Sequence, residues 1–193
     1  MLRRLLLVRF DKILEKKQRQ FDRRNTNRVN VRTELCEENL LEVADLTIHE
    51  IRYLLDEKFK VIFQQDLYGK RNYYLIRTPL NESNQHCFLV QIIKKVLENN
   101  FENVMEYRTR EPDIIFKVRN KFIALEIETG KVFRRYKSRL LEKIESLREN
   151  YCDDWFIIVT NRDLISKYRK FGKVLTRKNF LKRMSSYVGF DIK

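Results

Sequence analysis

The chain has 193 residues and a mass of 23.7 kDa, enough for one ordinary domain or for a core of about 110 residues with a smaller attachment. Its 43% hydrophobic content excludes a disordered chain, and with 4 Gly and 2 Pro it has neither a P-loop nor a G-x-G-x-x-G fingerprint, so no nucleotide cofactor is expected. Forty-one Lys and Arg against 27 Asp and Glu give a net charge of +14, which points to a polyanionic partner, nucleic acid before membrane.

The charge is uneven. Residues 1 to 32 carry +8, residues 33 to 84 carry −4 and residues 85 to 193 carry +10. Proline and small polar residues interrupt the periodic sequence at Thr78-Pro-Leu-Asn-Glu-Ser-Asn-Gln85, so the chain divides into regions 1–84 and 85–193. Cys36, Cys87 and Cys152 include no C-x-x-C, and His49 and His86 are the only imidazoles. That set builds neither a disulfide framework nor a Cys/His zinc site. The opening Met1-Leu-Arg-Arg-Leu-Leu-Leu-Val8 holds too short an apolar run for a signal peptide or a membrane span, and a cytoplasmic location is expected.

In chain order, Leu2, Leu6, Phe10, Ile13, Leu14 and Phe21 recur at helical spacing among Arg and Lys and predict a basic amphipathic helix, followed by a loop over residues 22 to 32. Glu38 to Val43 and Thr47 to Lys58 read as short helices, the second with Thr47 and Glu50 placed for a capping box. The segments Val61–Leu67 and Asn72–Arg77 flank Tyr68-Gly-Lys-Arg71 and predict a hairpin. Helices followed by a hairpin make region 1–84 a winged-helix-like module. Its candidate reading helix, residues 48–57, offers only Arg52 and His49 against three acids, so packing or dimerisation fits it better than duplex reading.

Region 85–193 predicts a helix over Gln85–Leu97, strands at Val104–Arg108, Asp113–Val118 and Phe122–Glu128, and a basic helix over Phe133–Arg148. A wholly apolar strand at Trp155–Val159 follows, then a helix from Asn161 to Phe171, a short strand at Lys173–Leu175 and a helix over Arg177–Met184. A strand apolar on both faces between helical segments requires a mixed sheet covered on both sides, which defines an α/β class.

The chemistry concentrates in residues 111–131. If Arg119-Asn120 is a two-residue turn, Val118 faces Lys121, and counting outward Asp113 faces Glu126. The period of two puts Glu128 on the same face, with Cβ atoms about 5 Å apart across the strands. Like charges among Ile114, Ile115, Phe116, Ala124, Leu125 and Ile127 require a positive partner, and hard carboxylate oxygens suit Mg²⁺ or Mn²⁺. Ordinary salt bridges to Lys131, Arg134 or Arg135 are the plainer alternative. Lys131 to Arg148 contains seven basic residues and two acids. With Tyr136, Leu140, Ile144 and Leu147 as its buried stripe, Arg134, Arg135, Lys137, Arg139 and Lys143 are left to track a phosphate backbone.

Pro112-Asp113, a spacer and Glu126-Ile127-Glu128 at the end of the next strand resemble the PD-(D/E)XK nuclease superfamily, which includes restriction endonucleases and archaeal Holliday-junction resolvases. The order helix, three strands, helix, strand is similar to that superfamily's αβββαβ core. Glu126-x-Glu128-Thr-Gly-Lys131 also looks like small nuclease-fold proteins of archaeal viruses, for which the compartment would be the host-cell cytoplasm. The resemblance implies a restriction-endonuclease-like fold and a Mg²⁺- or Mn²⁺-dependent DNA endonuclease acting on duplex or branched DNA in replication, recombination or repair. In it Asp113, Glu126 and Glu128 would bind metal. The family often adds a polar ligand from the first core helix, here Gln91. Glu128 stands where the family usually has lysine; Lys131 is the nearest substitute, to orient the nucleophile or stabilise the phosphate. Symmetric cutting of two strands calls for a homodimer. The rival readings are a non-catalytic DNA-binding protein, either a winged-helix regulator or an inactivated nuclease fold, and an RNA-acting nuclease.

Overall fold

A computed structural model describes residues 2–24, 32–107, 111–131, 133, 137–189 and 192. The chain is α/β and divides into two compact units, Met1–Asn84 and Gln85–Lys193.

The first unit opens with α1 (Leu2–Arg24), which continues through three residues expected to be loop. Then come β1 (Leu40–Glu42), α2 (Ile48–Asp56), β2 (Lys60–Gln65) and β3 (Arg71–Ile76), with 3-10 turns at Thr33–Glu37 and Val43–Asp45. Glu38–Val43 is therefore not a helix. Leu40 pairs with Ile76 and Leu41 with Leu75, making an antiparallel sheet in the order β1-β3-β2. A hairpin alone leaves one edge of β3 unpaired, and six residues with no capping signal are better satisfied by that ladder than by a helix. Phe10, Val43, Leu46, Ile51, Leu54, Phe59 and Leu75 form the core. The capping box is present: Thr47 accepts from the Glu50 N–H, and Glu50 accepts from the Thr47 N–H at 2.8 Å. Glu50 is buried and also receives the Arg32 guanidinium at 2.6 Å. That contact, opposed by burial and aided by Thr47, brings its pKa down to about 2.

The second unit runs α3 (Asn84–Glu98), β4 (Glu102–Glu106), β5 (Ile114–Val118), β6 (Lys121–Glu128), α4 (Lys137–Tyr151), β7 (Trp155–Val159), α5 (Ile165–Tyr168), β8 (Val174–Thr176) and α6 (Arg177–Val188). The expected helix 161–171 is a 3-10 turn, Arg162–Leu164, running into the short α5. The sheet order is β4-β5-β6-β7-β8, antiparallel up to β6 and parallel from β6 to β8. Ala124, Trp155, Ile157 and Val159 face Leu140, Ile144 and Leu147 of α4 and Tyr168 of α5. The other sheet face carries Leu125, Ile127 and Phe156; α6 lies on that side, with the Arg183 guanidinium 5.4 Å from the Phe156 ring centre. Among the described residues, no helix is long and apolar enough to cross a membrane.

Candidate functional site

Arg119 adopts φ 55°, the left-handed conformation that a two-residue hairpin turn requires. The β5–β6 register runs from Val118 opposite Lys121 to Ile114 opposite Leu125, so the next pair outward is Asp113 and Glu126. The Ile127 N–H donates to Asp113 Oδ2 at 2.7 Å and fixes that carboxylate at the end of the ladder. Alternation places Asp113, Glu126 and Glu128 on the face that α4 covers. They are 8%, 5% and 3% exposed, and with Glu50 they are the buried charged side chains among the described residues.

One oxygen of each carboxylate is held. Asp113 Oδ2 also lies 3.3 Å from His86 Nε2, Glu126 Oε1 lies 2.6 Å from Lys143 Nζ, and Glu128 Oε2 accepts from the Tyr168 hydroxyl at 2.8 Å. The opposite oxygens, Asp113 Oδ1, Glu126 Oε2 and Glu128 Oε1, take no hydrogen bond from a described residue, and Glu126 Oε2 is fully buried. A buried acceptor without a donor is costly and invites an explanation, an ion included.

Burial, then the Asp113 charge, push the Glu126 pKa well above the ordinary value, with Lys143 opposing. Burial also raises that of Glu128, against the Tyr168 hydrogen bond. Burial raises the Tyr168 hydroxyl too, reinforced by the Glu128 charge. At Lys143 burial favours the neutral amine, but Glu126 and Asp113 outweigh it and raise its pKa. One ammonium serves three acids.

Lys143 thus requires a correction. The sequence puts it among the solvent-facing cations of the basic helix, yet its side chain is only 21% exposed and turns to Glu126. The signal was in the spacing: Lys143 follows Leu140 by three residues and precedes Leu147 by four, which puts it on the buried stripe. Gln91 is also elsewhere. It donates to Glu106 Oε2 at 2.9 Å, beside Lys94. Glu106 pairs with Ile114, so it lies on the face opposite the three acids. Lys131 is exposed and makes no ion pair with the acids, and Lys137 and Arg139 are exposed on α4. Arg134, Arg135 and Tyr136 lie outside the described residues. Tyr168 had no sequence signal, since only the fold brings it 40 residues back to Glu128.

Among the described residues, the group whose ligand atoms all lie within 4.8 Å of one another is Glu82, two residues before α3, with His86 and Cys87 in the first turn of α3; the sheet acids form no group that close. A zinc-finger family model, zf-C2HCIx2C, matches residues 135–171. Both findings point toward metal binding and neither to magnesium. The matched segment contains Cys152 and no histidine, and its described residues include α4, β7 and α5, so by itself it lacks the four Cys/His ligands of a structural zinc site. No curated protein and no solved structure matches the chain.

Proposed function

We propose that residues 85–193 form a metal-dependent DNA endonuclease of the PD-(D/E)XK kind. The observation that carries this reading is Glu126 Oε2, a buried carboxylate oxygen with no donor among the described residues, beside the buried carboxylates of Asp113 and Glu128. The order α3-β4-β5-β6-α4-β7 and the antiparallel-then-parallel sheet support it, being the order of that superfamily's core.

Oxygen-only donors suit a hard ion such as Mg²⁺ or Mn²⁺ better than zinc. Asp113, Glu126 and Glu128 would hold it; when bound, such an ion polarises a phosphodiester and lowers the pKa of a water. The chain's own groups do the positioning. The Ile127 N–H and His86 orient Asp113, Tyr168 orients Glu128, and Lys143 orients Glu126. Lys143, on α4, also takes over from Lys131, which follows β6, as the cation of the site. A homodimer would bring two such sites to the two strands of a duplex or junction.

Purified protein should cut or nick linear, supercoiled, flapped or four-way DNA in Mg²⁺ or Mn²⁺ and stop in EDTA. Absence of any metal-dependent product, from protein shown to bind DNA, favours the second reading, a non-catalytic DNA-binding protein. The Lys143–Glu126 ion pair supports that alternative, because it supplies part of the missing positive charge without a metal.

A further inference from the structure

β6, β7 and β8 are parallel, with Glu128 beside Val159 and Val159 beside Thr176, so their carboxyl ends form one edge of the sheet. Each strand is followed within three residues by a cation: Lys131 after β6, Arg162 after β7, and Arg177 with Lys178 after β8. Lys131, Arg162 and Lys178 are exposed. Arg177 is half-buried, its guanidinium 5.9 Å from the Phe88 ring centre. None of Lys131, Arg162 and Lys178 forms an ion pair with a described acid. The nearest acid in sequence, Asp163, accepts instead from the Asn161 amide at 3.1 Å.

The turns that carry Lys131 and Arg162 are built against each other. Gly130, at φ +80°, lies so close to Leu164 that a Cβ there would stand 2.8 Å from a Leu164 methyl, so the turn after β6 rests on the turn after β7. The Thr160 N–H also donates to the Glu128 carbonyl at 3.1 Å. Strands spaced about 4.8 Å apart put the three strand ends across about 10 Å, about three steps from phosphate to phosphate at the ~3.4 Å axial spacing of one duplex strand.

We infer that this row is a phosphate-backbone track: one strand of nucleic acid crosses the carboxyl ends of β6, β7 and β8 over Lys131, Arg162 and Lys178, leading away from the acids. The inference rests on the nuclease reading only for the reacting phosphate that lies at the start of the track. Exposed side chains at the strand ends reach a backbone, and cations in single file that pair with no described acid select a linear polyanion over a compact one. The track gives α4 a smaller part in binding, consistent with Lys143 turning inward.

The test is binding of fluorescein-labelled DNA by the full chain in EDTA, where cleavage cannot interfere, as a function of salt. Arg162→Ala and Lys178→Ala should each weaken binding and lower the slope of log Kd against log salt by about one. Arg119→Asn is the control: it removes one exposed cation at the far end of the hairpin and keeps a residue that tolerates positive φ. It should leave the slope unchanged. Failure of wild type to bind DNA, wild-type slopes for Arg162→Ala and Lys178→Ala, or an equal loss in Arg119→Asn would each overturn the track. The expected slopes without any cleavage in Mn²⁺ would leave the track standing and remove the nuclease reading.

Discussion

Lys143 Nζ lies 2.6 Å from Glu126 Oε1, an ammonium on α4 meeting a carboxylate buried on β6, with side chains 21% and 6% exposed. Removing the cation leaves three buried acids with His86 beside Asp113 as the remaining described neighbour that can carry positive charge. Lys143→Ala should therefore destabilise the protein by about 3 kcal/mol, the low end for breaking a buried pair because the lysine is partly solvated. Adding Glu126→Gln should restore most of the loss, since the neutral amide no longer needs the ammonium. Chemical unfolding of the single and double variants, followed by the Trp155 fluorescence that reports this unit, reads both effects.

Tyr168→Phe deletes one hydroxyl and keeps the ring among Leu164, Phe171 and Phe133. Glu128 Oε2 then loses its donor, and a hydrogen bond to a charged group accounts for a loss of about 2 kcal/mol. Because the same hydroxyl orients Glu128, metal-dependent cleavage should fall more than stability predicts. Cleavage assayed well below the melting temperature separates the two effects; undiminished cleavage would mean that Glu128 needs no orientation.

A Cβ at Gly172 would stand 2.3 Å from the Trp155 indole, whose ring is wedged in the core and donates through Nε1 to the Cys152 carbonyl. A rigid ring cannot yield as a flexible side chain would. Gly172→Ala should cost about 2 kcal/mol through overpacking, read as a lower melting temperature and a shifted Trp155 emission.

In the first unit, Glu50 is held down to about 2 by Arg32. Its folded pKa lies below its unfolded value, so the stability it contributes is complete above about pH 4.5 and is lost as pH falls toward 2. Arg32→Ala should make the acid transition of this unit begin at higher pH. An acid titration of the two proteins by circular dichroism checks it; coincident curves would mean that the ion pair does not stabilise the native state.

The hairpin register was legible because a two-residue turn and a period of two leave one pairing for Asp113 and Glu126, and the apolar run at Trp155–Val159 announced a doubly covered strand. β1 was not. Three residues of half-buried strand carry no periodicity of their own, and only pairing with β3 defines them. The acids could be found from their spacing along one hairpin, but the groups that hold them arrive from other elements: His86 from α3, Lys143 from α4 and Tyr168 from α5. Gln91 shows the limit of a polar residue on an apolar helix, since its partner proved to be Glu106 on the opposite sheet face. The spacing of Lys143 relative to Leu140 and Leu147 was available, and weighing charge above that stripe hid it.

The central claim is that Asp113, Glu126 and Glu128 hold a hard divalent ion, and the most direct measurement is thermal unfolding of wild type, Asp113→Asn and Glu126→Gln in EDTA and in Mn²⁺. Burial and the like charge of Asp113 both oppose an ionised Glu126, so Glu126→Gln should melt in EDTA at or above wild type even though Lys143 loses its partner. Mn²⁺ should raise the melting temperature of wild type and leave both variants unmoved, because an ion that binds only the folded site stabilises by mass action. Both variants melting clearly lower in EDTA, with no Mn²⁺ shift in wild type, would show instead that the acids are structural partners of Lys143 and His86, and the account of a metal-dependent nuclease would be contradicted.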